Sequence, residues 1–462
     1  MKPAIGIAVI VACVGCTDHD LSRPSPQYPP GLYRDVLIPG AYQRNLDILV
    51  VMDDSPTSTL EKQASVIASF PNFINVLSTI EGGLPNLHIG VVTTDMGTTP
   101  DSPRLPGPGI GSGPGACSGN GKGGNLRTSA LVNGNFIIDQ ETTTGRLTNY
   151  SGTLQDAFAS IASVGSDGCG FEQPLHAAKR ALNANPMNAG FLRYDAYLAL
   201  LFVTDEDDCS FWNPTLLSTD TSTLGPLQSF RCNRFGHTCS SGGQTSDQMN
   251  QVGAKSGCAS NESSMYLSPV QSYVDFFKGL KPFDSSMVIV AGIAGPTTPY
   301  AVELRAPQDG STAIPAVAHS CAYSVAGGLE VADPPLRLKQ FVNAFPNRST
   351  FSTICQEDQS GSLVQLAELL RTVLPSSCLP FHLADVDPNT PGVQPDCAVS
   401  FITNFGKANQ TETILPECNG THANQPCWWL EYDVGCTRLR VDGIVLPPDG
   451  QFYASCLAED EF

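Results

Sequence analysis

The sequence predicts an α/β fold with a mostly parallel central sheet, helices on both faces of that sheet, and a small cysteine-rich β module at the C-terminal end. Three observations lead to this prediction. Apolar strands alternate with helical segments between residues 44 and 375. The strands are continuously apolar, which is typical of parallel sheets that are covered on both faces. After residue 375 the pattern changes to short alternating strands between closely spaced cysteines.

The first strand is predicted at 46–52 and is followed by a helix at 59–79, where apolar residues recur at helical spacing. The other elements follow from the same periodicities. The predicted strands are 87–94, a short edge strand at 135–140, 197–204 and 287–294, and the predicted helices are 153–164, 171–183, 268–280 and 360–374.

Two long segments interrupt this alternation. Residues 98–128 are rich in Gly and Pro and are predicted to form a surface loop, and residues 210–264 are rich in Ser, Thr and Gly and are predicted to form an insertion held by disulfides. The loop contains "GNGKGG", but Gly123 stands where a phosphate-binding loop requires Ser or Thr, and Ala116 where it requires Gly. We therefore expect no nucleotide.

The overall charge excludes one class of partner. The chain of 462 residues has 25 Lys and Arg against 44 Asp and Glu, which gives a net charge of −19. A chain this acidic repels phosphate backbones, so we expect no nucleic acid partner.

The N-terminal residues resemble an export signal. "MKPAIGIAVIVACVGC" has one positive charge, a short apolar stretch and small residues at its end. It resembles a bacterial lipoprotein signal over residues 1–16, with Cys16 as the lipidated residue and Cys13 as the alternative; an ordinary cleaved signal is a further alternative. The resemblance implies an exported protein that is lipid-anchored in the bacterial cell envelope, in the outer membrane or periplasm. Residues 17–43 are Pro-rich and predict a tether.

The cysteine count supports the same compartment. Fourteen of the 16 cysteines lie beyond the signal, and an even number in an exported chain predicts disulfide bonds. Their pairing cannot be read from the sequence. Six of them fall in residues 376–462, where a β module would have little core of its own.

Oxygen-bearing side chains follow two of the predicted strands. Asp53, Ser55 and Thr57 come directly after the first strand, and Asp205 follows the strand at 197–204. Ligands of open α/β sheets gather beyond the carboxyl ends of strands, and carboxylates with hydroxyls suit Mg²⁺. Taken singly, these residues are more typical of helix caps and turns.

At these residues the chain resembles the von Willebrand factor A domain with its metal-ion-dependent adhesion site. The resemblance covers residues 44–375 and rests on "VVMDDSPTS", "VGSDGCGFEQPL" and "FVTDEDD". It implies a Rossmann-like fold and a site for Mg²⁺, or for Mn²⁺ or Ca²⁺. The implied metal ligands are Asp53, Ser55, Thr57, Ser166 and Asp205.

The middle loop departs from the family pattern. Ser166 stands where the family has Thr, with Asp167 as an alternative oxygen ligand. The cysteine-bearing motifs "GCGFEQPL" and "DEDDCS" resemble a subgroup of exported and lipid-anchored bacterial A-domain proteins, and imply a disulfide link near the site that involves Cys169 and Cys209. Further acids that could tune the site or hold a second cation, or that are solvated loop residues, are Asp95, Asp167, Glu206, Asp207 and Asp208.

The resemblance implies a function in adhesion. A partner protein would offer a carboxylate to the metal ion, and the membrane would be reached through the lipid anchor only. Two alternatives remain open: a structural envelope lipoprotein with a degenerate metal site, and a secreted hydrolase that uses the acids at 206–208. Adjacent residues point in different directions and the chain has no "GxSxG" motif, so we expect that the protein is not an enzyme.

Overall fold

The computed structural model describes residues 33–39, 44–56, 59–80, 83–102, 104–142, 145–194, 196–281, 285–306, 312–325, 328–374, 379, 381–387, 389–404, 409–433, 436–444 and 450–459. The chain divides into two compact units. One is Tyr42–Ser376, and the other combines Met1–Ala41 with Ser377–Phe462. The predicted signal, with Cys13 and Cys16, and the predicted metal ligand Thr57 lie outside the described residues.

The strands are numbered in chain order. They are β1 (Tyr33–Pro39), β2 (Asn45–Met52), β3 (Asn86–Thr93), β4 (Ile137–Thr142), β5 (Gly145–Thr148), β6 (Tyr197–Val203), β7 (His237–Ser241), β8 (Gly253–Ser260), β9 (Val288–Ala294), β10 (Tyr300–Arg305), β11 (Ile314–Val317), β12 (Cys321–Val325), β13 (Gly328–Ala332), β14 (Ser349–Thr353), β15 (Cys397–Thr403), β16 (Thr411–Leu415), β17 (Cys427–Asp433), β18 (Cys436–Asp442) and β19 (Gln451–Leu457).

The α-helices are numbered in the same way. They are α1 (Thr59–Leu77), α2 (Leu154–Ala162), α3 (Pro174–Leu182), α4 (Thr221–Leu224), α5 (Phe230–Gly236), α6 (Ser246–Met249), α7 (Val270–Gly279), α8 (Leu336–Asn343) and α9 (Ser360–Val373).

The largest sheet lies in the unit Tyr42–Ser376 and has seven strands in the order β14-β9-β6-β2-β3-β4-β5. Parallel pairing joins β14 to β9, β9 to β6, β6 to β2 and β2 to β3. Strands β4 and β5 continue the sheet in the antiparallel sense. The neighbouring strands β2 and β6 place their carboxyl ends side by side.

The predicted fold class is wrong as a description of this chain. Most strand pairings in the described residues are antiparallel, and the other four sheets contain antiparallel pairs alone. The fold is mixed α and β with several small, mostly antiparallel sheets. The prediction failed because it extended the alternation of apolar strands and helices across residues 44–375. That range also holds β7, β8 and β10 to β13, which pair in the antiparallel sense.

Alternate residues of β2 enter two apolar clusters, as expected of a strand whose side chains point to opposite faces. Leu46, Ile48 and Val50 pack in a cluster with buried residues of α1, α2 and α9. Leu49 and Val51 pack in a second cluster with residues of α3, α7 and α8. Burial on both sides explains why β2 is apolar at nearly every position.

The elements predicted from strong periodicity are confirmed with small shifts in their ends. The helix predicted at 59–79 is α1, and the helix predicted at 360–374 is α9. The strand predicted at 197–204 is β6, and its described residues from Leu198 onward are fully buried or nearly so.

The segment 210–264 carries more regular structure than the sequence indicates. It contains α4, α5, β7, α6 and β8, and β7 and β8 belong to a sheet of order β11-β10-β8-β7. Strands β10 to β13 were not predicted. Their side chains are mostly half-buried or exposed, so they lack the continuous apolar pattern that identified β6.

The unit that contains residues 377–462 is built from antiparallel strands. Its main sheet has the order β1-β19-β15-β16, and β17 pairs with β18. Strand β1 lies within the segment 17–43 for which the sequence predicts a tether. Disulfides join β15 to β19 through Cys397–Cys456 and hold β17 through Cys418–Cys427.

Disulfide bonds also occur throughout the larger unit, where they are Cys117–Cys169, Cys209–Cys232, Cys239–Cys258 and Cys321–Cys355. Six bonds within the described residues indicate an oxidising compartment, so the protein is exported. In the part of the chain that the structure describes, no helix is both long and apolar enough to span a membrane.

Candidate functional site

The parallel pairing of β2 with β6 brings Asp53 and Asp205 together. Met52 lies opposite Val203 in the register, and Asp53 donates its backbone N–H to the Val203 carbonyl over 2.9 Å. Both carboxylates line one narrow cavity, with exposed fractions of 2% for Asp53 and 4% for Asp205. Two acids that are 152 residues apart in the sequence therefore share one buried space.

Asp53 is held by hydrogen bonds from both strand ends. Its Oδ1 accepts the backbone N–H of Ser55 over 2.8 Å, and its Oδ2 accepts the hydroxyl of Thr204 over 2.8 Å. Burial and the nearby charge of Asp205 raise the pKa of Asp53 to about 6, although the Ser55 N–H and the Thr204 hydroxyl oppose the rise. The site thus concentrates negative charge away from water, which a cation would relieve.

Lys62 of α1 supplies positive charge to this site. Its Nζ lies 2.6 Å from Asp205 Oδ2 and 2.9 Å from Glu330 Oε2, and it donates to the Val331 carbonyl over 3.0 Å. The Glu330 contact is an ion pair without hydrogen-bond geometry. Lys62 is only 2% exposed, so its ammonium group lies in the protein interior.

The loop that contains Ser166 lies beside the first motif. Gln63 donates from Nε2 to the carbonyls of Asp53, over 2.9 Å, and Gly165, over 2.7 Å. Gly168 donates its N–H to the Asp54 carbonyl over 2.7 Å. Ser166 stands between these two anchors and is half-buried. The structure therefore brings Asp53, Ser55, Asp205 and the Ser166 loop to one edge of the sheet.

Asp54 adds a second buried acid to the same turn. Burial, followed by the charges of Asp53 and Asp95, raises the pKa of Asp54 to about 8. A Cβ added at Gly168 would collide with the Asp54 carboxylate, so only glycine fits beside it. Asp54 was not among the predicted site residues, because the family motif leaves its position unspecified.

Asp95 and Asp167 lie around Lys122 rather than beside Asp205. Asp95 Oδ1 accepts the Gly97 N–H over 2.8 Å, and Asp167, which is exposed, pairs with Lys122 over 3.2 Å. Burial raises the pKa of Asp95 despite the Gly97 N–H and the charge of Lys122. Both acids border the Asp54 turn, at the outer side of the candidate site.

Four consecutive acids follow β6, at residues 205–208, and their side chains face different partners. Asp205 pairs with Lys62, while Glu206 faces Glu172. Burial and the charges of Asp333 and Asp205 raise the pKa of Glu206 to about 8, and burial together with Glu206 raises the pKa of Glu172 well above its ordinary value. Consecutive residues point in different directions, as their positions in the sequence lead one to expect.

Asp207 and Asp208 have structural partners. Asp207 accepts the backbone N–H groups of Arg337, over 2.9 Å, and Leu338, over 3.0 Å, and so caps α8, and it bonds His237 Nε2 over 2.7 Å. Burial alone would raise the pKa of Asp207, but His237 and the two N–H groups outweigh it and lower the pKa. Asp208 forms a fully buried ion pair with Arg337.

The two cysteines that the resemblance links near the site do not bond to each other. Cys169 bonds to Cys117 of the loop 98–128, and Cys209 bonds to Cys232 of α5. All four belong to one apolar cluster. Two bonds therefore brace the region where the resemblance implied a single link.

Several site residues could not be found from the sequence. Lys62, Gln63 and Glu330 lie 5 to 125 positions from the nearest predicted metal ligand in the chain, and no motif marks them. Thr204 directly precedes Asp205 and could have been found from "VTD". Among the described residues, no group of three or more His, Cys, Asp or Glu side chains is arranged to hold a metal ion.

Comparisons with known proteins give no family. No protein-family model and no curated protein matches the sequence. Similar solved structures include proximal thread matrix protein 1 from the mussel byssus, with 10% identity, 71% of this chain and 48% of that chain covered and a TM-score of 0.29.

Two bacterial pilus adhesins also match. SpaC from Lactobacillus rhamnosus GG has 11% identity, with 92% of this chain and 42% of that chain covered and a TM-score of 0.30. RrgA from Streptococcus pneumoniae has 11% identity, with 93% and 58% covered and a TM-score of 0.28. The chain thus spans about half the length of these proteins, and TM-scores this low support no conclusion about fold or function.

Proposed function

We propose that this exported protein binds a partner protein through a divalent cation held at the carboxyl ends of β2 and β6. The cation would be coordinated by Asp53, Ser55 and Asp205, with Thr57 and Ser166 as further hydroxyl ligands. The observation that carries the proposal is the convergence of Asp53 and Asp205 at one buried site, where the charge of Asp205 disfavours ionisation of Asp53.

The donor set suits a hard cation. Two carboxylates and a few hydroxyls form an all-oxygen site, which Mg²⁺ accepts while retaining several waters, and Mn²⁺ or Ca²⁺ accepts similar ligands. The cation would supply positive charge beside Asp53 and so lower the free-energy cost of burying the ionised Asp53 carboxylate. Because the protein supplies few charged ligands, the bound ion would keep positive character and an exchangeable position.

That exchangeable position suggests the kind of partner. A carboxylate of a partner protein could replace one water on the ion and form a reversible bridge. The loop 98–128 and the residues around 166 border the site, and loops on a rigid sheet commonly carry recognition. Lipidation at Cys16, or at Cys13, would anchor the protein in the bacterial envelope and present this edge of the sheet to partners.

A structural envelope protein is the second candidate. The ion pair of Lys62 with Asp205 favours it, because the ammonium already compensates one of the two carboxylates. In that case the site would stabilise the sheet edge and bind no cation.

The test is calorimetric titration of Mg²⁺ and Mn²⁺ into the oxidised protein and into an Asp53→Ala, Asp205→Ala double variant. We expect saturable binding of one ion to the wild type and none to the variant. Asp275→Asn is the matched control, because it removes an exposed charge on α7. Absence of binding to a folded wild type would favour the structural candidate.

A further inference from the structure

Lys62 contributes a buried positive charge directly to Asp205 at the candidate site. The contact of 2.6 Å joins Lys62 Nζ to the same carboxylate that the proposed cation would use. Neither side chain is appreciably exposed, with side-chain exposed fractions of 2% and 4%. Solvent therefore screens this pair little, in contrast to ion pairs on a protein surface.

We propose that Lys62 is an internal competitor for the divalent cation and sets the affinity of the site. The inference rests on the proposed function and deepens it, because it assigns a regulatory residue to the same site. Lys62 and the cation would both be attracted to Asp205 and would repel each other across a few ångströms of low-polarity interior. Binding of the ion then requires that the Lys62 ammonium give up its contact with the Asp205 carboxylate.

Coulomb's law explains why the effect is large. A divalent ion and an ammonium about 5 Å apart repel each other strongly when the surroundings screen less than bulk water does. The carboxylate of Asp205 attracts both, but its charge cannot neutralise three positive charges. Removal of the ammonium should therefore tighten cation binding by at least about tenfold.

Glu330 gives the ammonium a second place of attachment. It lies on β13, which pairs with β12, and Cys321 of β12 is bonded to Cys355. Glu330 Oε2 and the Val331 carbonyl lie 2.9 and 3.0 Å from Lys62 Nζ. When a cation binds Asp205, Glu330 and the Val331 carbonyl would still hold the ammonium. Lys62 therefore need not leave the interior for the cation to bind.

The experiment measures Mn²⁺ affinity in the oxidised full-length protein and in four variants, one of which adds Asp205→Ala to the double variant described next. Lys62→Met with Glu330→Gln removes both charges of the second pair, so it leaves the net charge unchanged while Asp205 loses its ammonium partner. Lys62→Arg keeps the positive charge, and Glu330→Gln alone removes the second attachment. Circular dichroism and thermal unfolding establish that each variant is folded.

We expect the double variant to bind Mn²⁺ at least about tenfold more tightly than the wild type. Lys62→Arg should stay within about twofold of the wild type. Glu330→Gln should bind more weakly, because the ammonium then lacks the Glu330 charge that attracts it away from Asp205. Addition of Asp205→Ala to the double variant should abolish the binding. Binding by the double variant with none by the wild type would overturn the proposed function, since Lys62 would then exclude the ion completely from the natural protein.

Equal affinities of the wild type and the folded double variant would overturn the proposal and leave Lys62 as a structural ion-pair partner. Persistence of tight binding after Asp205→Ala would overturn it as well, because the ion would lie elsewhere. If neither the wild type nor any folded variant binds Mn²⁺, the proposed function itself fails, and the assignment of Lys62 falls with it. The first result leaves the proposed cation-binding activity in place, which separates the two failures.

Discussion

Asp208 and Arg337 form an ion pair in which neither side chain is exposed, with 3.0 Å between Asp208 Oδ2 and Arg337 Nη2. Arg337 also donates to the Ser268 carbonyl over 2.7 Å, and Asp208 accepts the backbone N–H of Leu175 over 3.1 Å. The pair therefore ties the start of α8 to the start of α3 and to the end of β6. Because a buried charge without its partner is costly, this contact should be among the most sensitive in the larger unit.

We predict that Arg337→Met lowers the free energy of unfolding by about 3 to 5 kcal/mol, because it leaves the Asp208 carboxylate buried and unpaired. Urea denaturation followed by circular dichroism measures the change. Arg371→Met is the control: Arg371 pairs with Glu368 on the exposed surface of α9, and its loss should cost less than about 1 kcal/mol. Similar losses in the two variants would contradict this account of Arg337.

Asp207 should affect stability rather than cation binding. Its carboxylate caps α8 and bonds His237, and removal of these hydrogen bonds by Asp207→Ala should cost about 2 to 4 kcal/mol. The exposed cap Asp220 of α4 offers a comparison, since Asp220→Ala should lower the free energy of unfolding less than Asp207→Ala does. Mn²⁺ affinity, measured on the folded variant, should stay within about threefold of the wild type. A complete loss of Mn²⁺ binding would instead place Asp207 among the metal ligands.

The burial of Asp47 predicts a pH dependence of the free energy of unfolding. Arg193 Nη2 lies 2.7 Å from Asp47 Oδ1, yet burial raises the pKa of Asp47 from 3.8 to about 6. A raised carboxyl pKa means that the folded state binds the proton more tightly than the unfolded state. The stability that this group contributes is therefore complete below pH 3.8 and is lost as the pH rises to about 6.

Asp47→Asn removes this titration. We expect the free energy of unfolding of the wild type to fall by about 2 kcal/mol relative to the variant between pH 4 and pH 6.5. Denaturation of both proteins at several pH values across this window gives the difference directly. Parallel curves would show that the pKa of Asp47 is close to its ordinary value in the folded protein.

Much of the central part of the chain could be predicted from its sequence. Helix α1 is buried along one stripe, so its apolar residues recur at helical spacing. Strand β6 is buried on both faces, so its residues are continuously apolar. Asp53 and Asp205 could be expected to meet because both follow strands of one sheet. The half-exposed strands β10 to β13 escaped prediction, since no continuous apolar pattern distinguishes them from loops.

The polar partners of the site were beyond sequence reasoning for a different reason. Lys62 is one of 25 basic residues, and nothing in its neighbourhood indicates that it enters the interior. Its burial depends on Asp205 and Glu330, which lie 143 and 268 positions away in the chain. The fold determines which distant residues pair. The local sequence pattern shows only the periodicity of one helix or strand, so it could not indicate the partners of Lys62.

The disulfide Cys117–Cys169 offers a test of how the loop 98–128 is held. It closes a separation of 52 residues and joins this loop to the residues that follow Ser166. Gly170 donates its N–H to the Gly115 carbonyl over 3.1 Å beside the bond. Replacement of both cysteines by Ser should lower the free energy of unfolding by about 4 kcal/mol, because the unfolded chain gains conformational freedom.

Limited proteolysis should detect the local consequence of that replacement. We expect cleavage within 98–128 at a protease concentration that leaves the oxidised wild type intact, because the described residues of this loop form no helix or strand. The matched control replaces Cys418 and Cys427, whose bond spans 9 residues in the other compact unit. That variant should lose about 3 kcal/mol in its own unit and keep 98–128 protected. Equal protection of this loop in all three proteins would show that contacts other than Cys117–Cys169 hold it against the sheet edge.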